Sequence, residues 1–373
     1  MPIHKLTMPK WGLSMKEGKV VNWLAEEGAQ VETGVELVEV ETEKISSAVE
    51  ASASGVLRRQ VAAVGDVVPV AGLLSVIVEG SVSDAEIDAF VADFEANFVP
   101  EEAEEQLAGP AAETVEIEGQ AENHTVRYLK RGEGGEPAIL IHGFGGDLDN
   151  WLFNHEPLAA SRTVYALDLP GHGGSSKQVS AGAAGDFAKV LAGFLDAVSV
   201  PRAHLVGHSL GGAIALELAL AHPRCASSVT LIASAGLGPE IDGDYIEGFI
   251  TAAQRRRIKP HLEKLFANPS LVSRQLVDAI LQYKRLDGVD AALRTVADAF
   301  CPGGKQSVVL RDRVGELSVP VLVIWGEEDR ILPASHAKGL PGSIQTRIIS
   351  GSGHMVQMEA AAEVNEAVSS LWG

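Results

Sequence analysis

An internal repeat with an offset of 37 residues is the strongest constraint on the fold of the N-terminal part of the chain. At this constant interval, Gly18 matches Gly55, Val20 matches Leu57, Gly28 matches Gly65, Val31 matches Val68, Leu37 matches Leu74, and Val40 matches Ile77. Both halves are rich in Val and Gly, which favours short strands and tight turns. Two similar β-rich halves in residues 1–80 predict a small sandwich or flattened barrel with an approximate twofold axis. A single pair of repeats is too short for a solenoid.

A polar segment at residues 41–47 joins the two halves of the repeat and predicts an exposed hairpin tip that carries Lys44. Taken alone, a lysine at such a tip is usually a solvated turn residue. However, residues 4–79, with MPKWGLSMKEGKVVNW and VELVEVETEKISSAVEA, resemble the lipoyl domains of 2-oxoacid dehydrogenase complexes. The resemblance implies that Lys44 carries lipoate through an amide bond. Biotin carriers have a similar fold, but their lysine lies between methionines, whereas Lys44 lies between Glu43 and Ile45.

The stretch from Ser81 to Glu118 is strongly acidic. It contains 12 Asp and Glu residues and no Lys or Arg, in a chain whose net charge is −20. Such a charge step indicates a domain boundary, and the acidity of the chain argues against binding to nucleic acid or anionic membranes. Apolar residues at helical spacing, with Ser83 and Glu86 as a capping box, predict an amphipathic helix at residues 83–98. This helix either packs on a neighbouring domain or docks another subunit. The rest of the stretch is predicted to be a flexible spacer.

Other features of the sequence bear on localisation and on metal binding. No apolar run reaches the roughly 18 residues of a membrane-spanning helix, and the first residues lack the apolar core of a secretory signal. The chain has 2 cysteines, far apart, which is too few for a disulfide scaffold or a four-cysteine zinc site. We therefore expect a cytoplasmic protein without a metal.

From about residue 119 the sequence alternates between apolar strands and helices, which predicts a parallel sheet covered on both faces. The segment Gly207-His-Ser209-Leu-Gly211 lies between a predicted strand and a predicted helix. Glycines on both sides of a serine allow a tight turn that exposes the hydroxyl over a helix N-terminus. The pattern therefore indicates a nucleophilic serine.

Residues 125–373 resemble the α/β-hydrolase superfamily, in which nucleophile, acid and histidine follow one another along the chain. The resemblance implies that Ser209 is the nucleophile, that His354 is the general base and then acid, and that Asp329 orients the imidazole. Glu327 and Glu328, which directly precede Asp329, stay open as alternative acids.

Further positions follow from the same resemblance. The backbone N–H groups of Phe144 and Leu210 are expected to form an oxyanion hole. Asp168, His172 and Ser175 resemble a structural turn of the superfamily and are not expected to be catalytic.

A mostly helical segment at about residues 236–313 lies where this superfamily places a cap over its active site. It is the only segment with a net positive charge, with 12 Lys and Arg against 10 Asp and Glu. Arg255, Arg256 and Arg257 are either solvated or contact an anionic substrate such as coenzyme A, whose phosphates suit the guanidinium group.

Together, the two resemblances predict an N-terminal all-β lipoyl-like sandwich at residues 1–80 and an acidic linker at 81–118. An α/β-hydrolase domain with a helical cap is predicted at 119–373. A lipoyl domain usually precedes an acyltransferase with a His-x-x-x-Asp-Gly motif, but none of the 11 histidines begins one. The hydrolase-like domain must therefore supply the chemistry.

The whole chain resembles the dihydrolipoyllysine-residue acetyltransferase components of acetoin dehydrogenase systems. This implies acetyl transfer from lipoate on Lys44 to coenzyme A. It also implies two partners, a thiamine-diphosphate component that cleaves acetoin and a dihydrolipoamide dehydrogenase. Two other classes stay open, namely an ester or carbon–carbon hydrolase with an appended carrier domain and a carrier subunit with a silent triad.

Overall fold

The computed structural model describes residues 3–9, 17–41, 46–98, 111–119 and 122–373. The chain divides into two compact units, Met1–Ala111 and Ala112–Gly373. Lys44 lies outside the described residues, as does most of the predicted spacer, at 99–110.

Antiparallel strands in two four-stranded sheets build the described part of the first unit. The sheet orders are β1-β8-β6-β3 and β5-β4-β2-β7. The strands are β1 (Ile3–Thr7), β2 (Glu17–Trp23), β3 (Gln30–Val31), β4 (Glu36–Glu41), β5 (Ser46–Glu50), β6 (Gly55–Gln60), β7 (Val67–Pro69) and β8 (Leu73–Val78).

The predicted twofold relation is visible in these two sheets. A shift of 37 residues carries β2 onto β6, β3 onto β7 and β4 onto β8, and the two sheets then have the same strand order. The paired apolar positions of the repeat form the core, and these side chains are fully buried: Val20, Leu37, Val40, Leu57, Leu74 and Ile77. The all-β sandwich predicted from the repeat is therefore confirmed.

Hydrogen bonds at the ends of the sheets follow the same symmetry. Trp23 Nε1 donates to the carbonyl oxygen of Ala62 at 3.0 Å, and Gln60 Nε2 donates to the carbonyl oxygen of Ala25 at 2.8 Å. Donors and acceptors are related by the offset of the repeat, so each half closes over the other in the same way.

Helix α1 (Asp84–Asn97) breaks this symmetry because it covers only one sheet. The outer face of β8 is apolar at Leu73, Val76 and Val78, whereas the equivalent positions of β4 are glutamates. Ile87 of α1 is fully buried against this face, and full burial of such a side chain contributes about 1.5–3 kcal/mol. Arg58 pairs with Asp84 at 2.7 Å. Of the two interpretations of this helix, the structure shows packing on its neighbouring domain.

An eight-stranded sheet forms the centre of the second unit, in the order β16-β15-β14-β13-β11-β12-β10-β9. Its central and C-terminal strands, β11 to β16, are parallel, while β9 and β10 are antiparallel to their neighbours. The strands are β9 (Glu113–Ile117), β10 (His124–Arg131), β11 (Ala138–Ile141), β12 (Val164–Leu167), β13 (Ala203–His208), β14 (Ala226–Ile232), β15 (Val321–Gly326) and β16 (Gln345–Ile349).

Strand β9 lies in the stretch that sequence analysis assigned to the linker. Its five residues pair with β10, so the sheet begins before residue 119. The acidic charge of the segment hid a short alternation in which Val115 and Ile117 face inwards, with Ile117 buried, while Thr114 and Glu116 are exposed. The boundary between the units accordingly lies at residues 111–112.

Helices cover both faces of the sheet, as the alternating pattern predicts. They are α2 (His155–Leu158), α3 (Ala184–Ala197), α4 (Leu210–Ala221), α5 (Gly243–Thr251), α6 (Arg255–Leu262), α7 (Arg274–Lys284), α8 (Val289–Phe300), α9 (Val356–Glu359) and α10 (Ala361–Trp372). Within the described ranges, no helix has the length and apolar character needed to cross a membrane.

Helices α5 to α8 lie between β14 and β15 and form the cap. The buried Lys284 of α7 holds the cap together, because its ammonium group donates to the carbonyl oxygens of Phe249, Ile250 and Ala252 at the end of α5. Burial lowers the pKa of Lys284 from its ordinary value. These contacts fix Phe249 over the carboxyl end of the sheet.

Candidate active site

Ser209 lies at a sharp turn between β13 and α4. Its φ of 53° and ψ of −120° are strained for a residue with a side chain, at a cost of about 1–3 kcal/mol. The turn is held by the N–H of Ser209, which donates to Ile232 O at 3.0 Å, and by the N–H of Ala235, which donates to Ser209 O at 3.0 Å. The hydroxyl is therefore held at the carboxyl end of the central strand.

The two glycines of the motif are required by close backbone contacts. A Cβ on Gly207 would lie 2.2 Å from the carbonyl oxygen of Gly211, and one on Gly211 would lie 2.2 Å from that of Ile141. Neither contact can be relieved by rotating a side chain. The pattern therefore records how closely helix α4 approaches the sheet.

Asp329 and His354 form a buried pair beside this turn. His354 Nδ1 lies 2.8 Å from Asp329 Oδ2, and Asp329 Oδ1 accepts from the N–H groups of Ile331 at 2.8 Å and Leu332 at 2.9 Å. Since Nδ1–H donates to the carboxylate, Nε2 of His354 is the nitrogen available to accept a proton.

The structure brings Asp329 to His354 and leaves the two alternative acids outside. Glu327 and Glu328 are exposed, and Glu327 accepts from Ser350. Ser209 and His354 line the same cavity. Within the described part of the chain, no hydrogen bond joins the two side chains. Such bonds are often long until a substrate is bound.

Two residues that sequence analysis did not single out hold the loop of His354. His208 Nε2 donates to the carbonyl oxygen of His354 at 3.0 Å, and burial lowers the pKa of His208 well below its ordinary value, which keeps it neutral. The carboxylate of Glu359 accepts from the N–H of Gly353 at 2.7 Å and from that of Ala267 in the cap at 2.8 Å. The only available signals were that His208 lies inside the serine motif and that Glu359 follows His354 closely.

The N–H groups of Phe144 and Leu210 are both placed near Ser209. Leu210 is the first residue of α4, and Phe144 follows β11 and lines the same cavity as Ser209. Among the hydrogen bonds of the described residues, neither N–H has an acceptor. Two free donors beside a nucleophile suit an oxyanion.

The turn before Phe144 is fixed by the buried His142. Its Nδ1–H donates to Gly143 O at 2.8 Å, and its Nε2 accepts from the N–H of Leu169 at 3.0 Å. Burial lowers the pKa of His142, so the ring stays neutral and can accept this bond.

The turn at residues 168–175 has the structural contacts that the superfamily resemblance implied. The buried carboxylate of Asp168 accepts from the N–H of Leu148 at 2.8 Å and from that of Gly174 at 2.7 Å, and it pairs with Arg127. Ser175 donates to the carbonyl oxygen of Asp168. Burial lowers the pKa of His172 to about 3, and its Nδ1 lies 3.0 Å from Pro170 O.

A cavity of about 220 Å³ opens onto Ser209 and His354. Its wall is mainly apolar, and Met355 follows His354 directly. The cap contributes most of this apolar wall, through Ile241, Tyr245, Ile246, Phe249, Leu262, Leu265, Phe266, Leu276, Ala279, Ile280, Tyr283 and Phe300. The site can therefore hold an acyl group against a mainly apolar surface.

The cap arginines do not join this cavity. Arg255, Arg256 and Arg257 occupy the exposed first turn of α6, and none of them is part of the cavity wall. Arg255 pairs with Asp278, with Nε 2.9 Å and Nη2 2.6 Å from the same carboxylate oxygen. Contact between these arginines and coenzyme A stays a prediction.

Comparison with known proteins identifies relatives of both units. A family model described as a biotin-requiring enzyme matches residues 4–77, and one described as the alpha/beta hydrolase fold matches residues 137–361. A dihydrolipoyllysine-residue acetyltransferase component of the acetoin cleaving system of Pseudomonas putida is 50% identical, covering 98% of this chain and 97% of its own. The corresponding component of Cupriavidus necator is 46% identical, over 97% and 96%.

Hydrolases match the second unit. A 2-hydroxy-6-oxononadienedioate/2-hydroxy-6-oxononatrienedioate hydrolase of Cupriavidus pinatubonensis is 31% identical over 65% of this chain and 88% of its own. Among solved structures, a meta-cleavage product hydrolase from Pseudomonas fluorescens has a TM-score of 0.62 at 22% identity, covering 69% of this chain and 97% of that one. A bacterial membrane phospholipase A has a TM-score of 0.63 at 27% identity, covering 77% and 95%.

Proposed function

The chain belongs to the dihydrolipoyllysine-residue acetyltransferase components of acetoin cleaving systems, and on that premise we propose how its second unit carries out the transfer. Ser209 accepts the acetyl group of an S-acetyldihydrolipoyl arm as an ester, and the thiol of coenzyme A then removes it. Lys44 is the proposed attachment point of the arm. The observation that carries this proposal is the buried Asp329–His354 pair beside a serine held in a strained turn.

In the first half of the reaction, His354 Nε2 takes the proton of Ser209 as the serine oxygen attacks the thioester carbonyl. The carbonyl oxygen becomes an oxyanion that accepts from the N–H groups of Phe144 and Leu210. The carbon–sulfur bond then breaks, and His354 gives its proton to the departing thiolate of the dihydrolipoyl arm. Asp329 stabilises the imidazolium throughout.

The second half reverses these roles. His354 Nε2 takes the proton of the coenzyme A thiol, whose sulfur attacks the acetyl ester of Ser209. The same two N–H groups bind the second oxyanion, and His354 returns the proton to the serine oxygen as the ester bond breaks. One thioester is exchanged for another, so the overall reaction needs little driving force.

The size of the cavity supports this two-step route over direct transfer from thiol to thiol. Pockets that hold a single drug-sized ligand are about 300–1,000 Å³, whereas this cavity is about 220 Å³. A direct transfer requires the two arms to be present together. An ester on Ser209 lets them enter the cavity one after the other.

The second candidate is hydrolysis, which the relationship of the second unit to hydrolases favours. The two functions differ only in whether water or coenzyme A removes the acetyl group, and the apolar wall around Ser209 supports exclusion of water. We expect sustained consumption of S-acetyldihydrolipoamide only when coenzyme A is present, with acetyl-CoA as the product and little acetate. Acetate release at an equal rate without coenzyme A would identify a hydrolase, and no turnover a carrier subunit.

Replacement of Asp329 by Asn is expected to lower acetyl transfer by about 10³- to 10⁴-fold, because the amide no longer holds His354 in the tautomer that leaves Nε2 free. Glu328→Gln is the matched control and should stay within a few-fold of the wild-type rate. Initial rates of acetyl-CoA formation provide the measurement. A larger loss in the Glu328 variant would show that the acid is misassigned.

The protein functions as a component of an acetoin cleaving system and therefore with other components. We propose that a thiamine-diphosphate component acetylates the arm on Lys44 and that a dihydrolipoamide dehydrogenase reoxidises it. Cytoplasmic localisation is part of the same proposal.

A further inference from the structure

The wall of the cavity that holds Ser209 contains acidic side chains but no lysine or arginine among the described residues. The acidic side chains are Asp147 and Asp149. Both lie in the loop that follows Phe144, whose N–H is proposed to bind the oxyanion, and both are therefore close in sequence to the reacting centre. Neither has a role in the triad or in the oxyanion hole.

The position of Asp147 is fixed by the short 3-10 helix Leu148–Trp151. Asp147 Oδ1 accepts from the N–H of Asp149 at 3.0 Å, which caps this helix, and the N–H of Leu148 donates to Asp168 at 2.8 Å. The loop is thereby held against the end of β12, and the carboxylate cannot turn away from the cavity without losing its capping bond.

Charged and titratable groups surround Asp147 on three elements. Asp149 lies on its own loop, Asp168 lies beyond β12 with its partner Arg127 on β10, and Tyr283 projects from α7 of the cap. Burial raises the pKa of Asp147 to about 7, with a further contribution from Asp149 and Asp168. Burial also raises the pKa of Asp149.

We propose that Asp147 and Asp149 make the cavity selective for uncharged arms and exclude ligands that carry a carboxylate near the reacting sulfur. The inference rests on the proposed function, since it concerns the arms that enter the same cavity. A lipoyl group bound to lysine ends in a neutral amide, whereas free dihydrolipoate ends in a carboxylate. Like charges at short range repel, and the repulsion is expected to be stronger from the half-buried Asp147 than from the exposed Asp149.

The same reasoning applies to other anions. The hydrolase relative from Cupriavidus pinatubonensis is named for dicarboxylates, which the two aspartates of this cavity would repel. The phosphates of coenzyme A must also remain outside, so that only its uncharged pantetheine arm reaches Ser209. The two aspartates are thus specificity-determining residues and take no part in proton transfer.

The test compares dihydrolipoamide with dihydrolipoate, which differ in one terminal group. Dissociation constants are measured by calorimetry with the full-length chain at pH 8. The wild-type protein is expected to bind the amide about tenfold more tightly. Asp147→Asn and Asp149→Asn should each reduce this ratio, mainly by tightening dihydrolipoate, and the Asn side chain at 147 retains an oxygen that can cap the helix.

Two further readouts separate charge from structure. Asp312→Asn removes the same charge from an exposed position outside the cavity wall and should leave the ratio unchanged. Lowering the pH from 8 to 6 should reduce the ratio in the wild-type protein, because Asp147 becomes protonated through about pH 7 while dihydrolipoate stays ionised. In Asp147→Asn this pH dependence should be largely lost.

Equal affinity for the two ligands in the wild-type protein, or a ratio that neither variant reduces, would overturn the proposal. The measurement requires no turnover. A protein that released acetate instead of forming acetyl-CoA would contradict the proposed function but would still show the charge selectivity.

Discussion

Replacement of Ser209 by Ala is expected to lower the rate of acetyl-CoA formation by about 10⁴- to 10⁶-fold, because nucleophile, base and acid act as a unit. Without the hydroxyl no acetyl ester can form. His354 then has no serine proton to take, and the N–H groups of Phe144 and Leu210 have no oxyanion to bind. The measurement is the initial rate with S-acetyldihydrolipoamide and coenzyme A, together with intact-mass detection of an acetyl group on the wild-type enzyme when coenzyme A is omitted.

Ser335→Ala is the control for this experiment, since Ser335 is exposed and is not part of the cavity wall. Its rate should equal that of the wild-type protein. The Ser209 variant should keep the fold, because alanine keeps the Cβ of the serine and adds no volume. A wild-type rate in Ser209→Ala would mean that the acetyl group passes directly between thiols.

Replacement of Lys44 by Arg should abolish lipoylation and lower acetoin-dependent acetyl-CoA formation in the assembled system by about 10²-fold or more, since a tethered arm supplies its acetyl group at high effective concentration. Intact mass in a lipoylating host is the direct measurement. Lys19→Arg is the matched control in the same unit, because Lys19 is exposed on β2.

The Lys44 variant also distinguishes the role of the first unit, which carries the arm, from that of the second unit, which catalyses the transfer. With free S-acetyldihydrolipoamide as donor, Lys44→Arg should form acetyl-CoA at the wild-type rate, whereas Ser209→Ala should not. A lipoylated Lys44→Arg protein would show that the attachment site has been misassigned.

Much of the architecture was accessible from local patterns. The 37-residue repeat predicts both the sandwich and its twofold relation, because each repeated apolar position must face the shared core. The Gly-x-Ser-x-Gly segment predicts the strand-to-helix turn, because the glycines report close backbone contacts that the structure shows at Gly207 and Gly211. Both signals lie within a few residues of one another or recur at a fixed interval.

The acidic stretch after residue 80 shows where local patterns fail. The apolar spacing correctly predicted a helix here, and its Ile87 packs on the apolar outer face of β8, but the charge also indicated a linker where Ile117 is buried in strand β9 of the second unit. In both cases a few inward-facing side chains decide the structure, and the many glutamates around them remain in solvent. The net charge of the stretch does not distinguish side chains that the fold buries from side chains that it leaves in solvent.

By itself, the sequence determined the two domain classes and the tight turn at Ser209, because these depend on residue types at short or regular spacing. The tertiary structure alone decided which acid meets His354, since the loop directs only one of the three adjacent carboxylates to the imidazole. It also placed the cap arginines on an exposed surface and Asp147 in the wall of the cavity. These are contacts between distant segments, and only the packing of the cap on the sheet fixes which side chains share the space around Ser209.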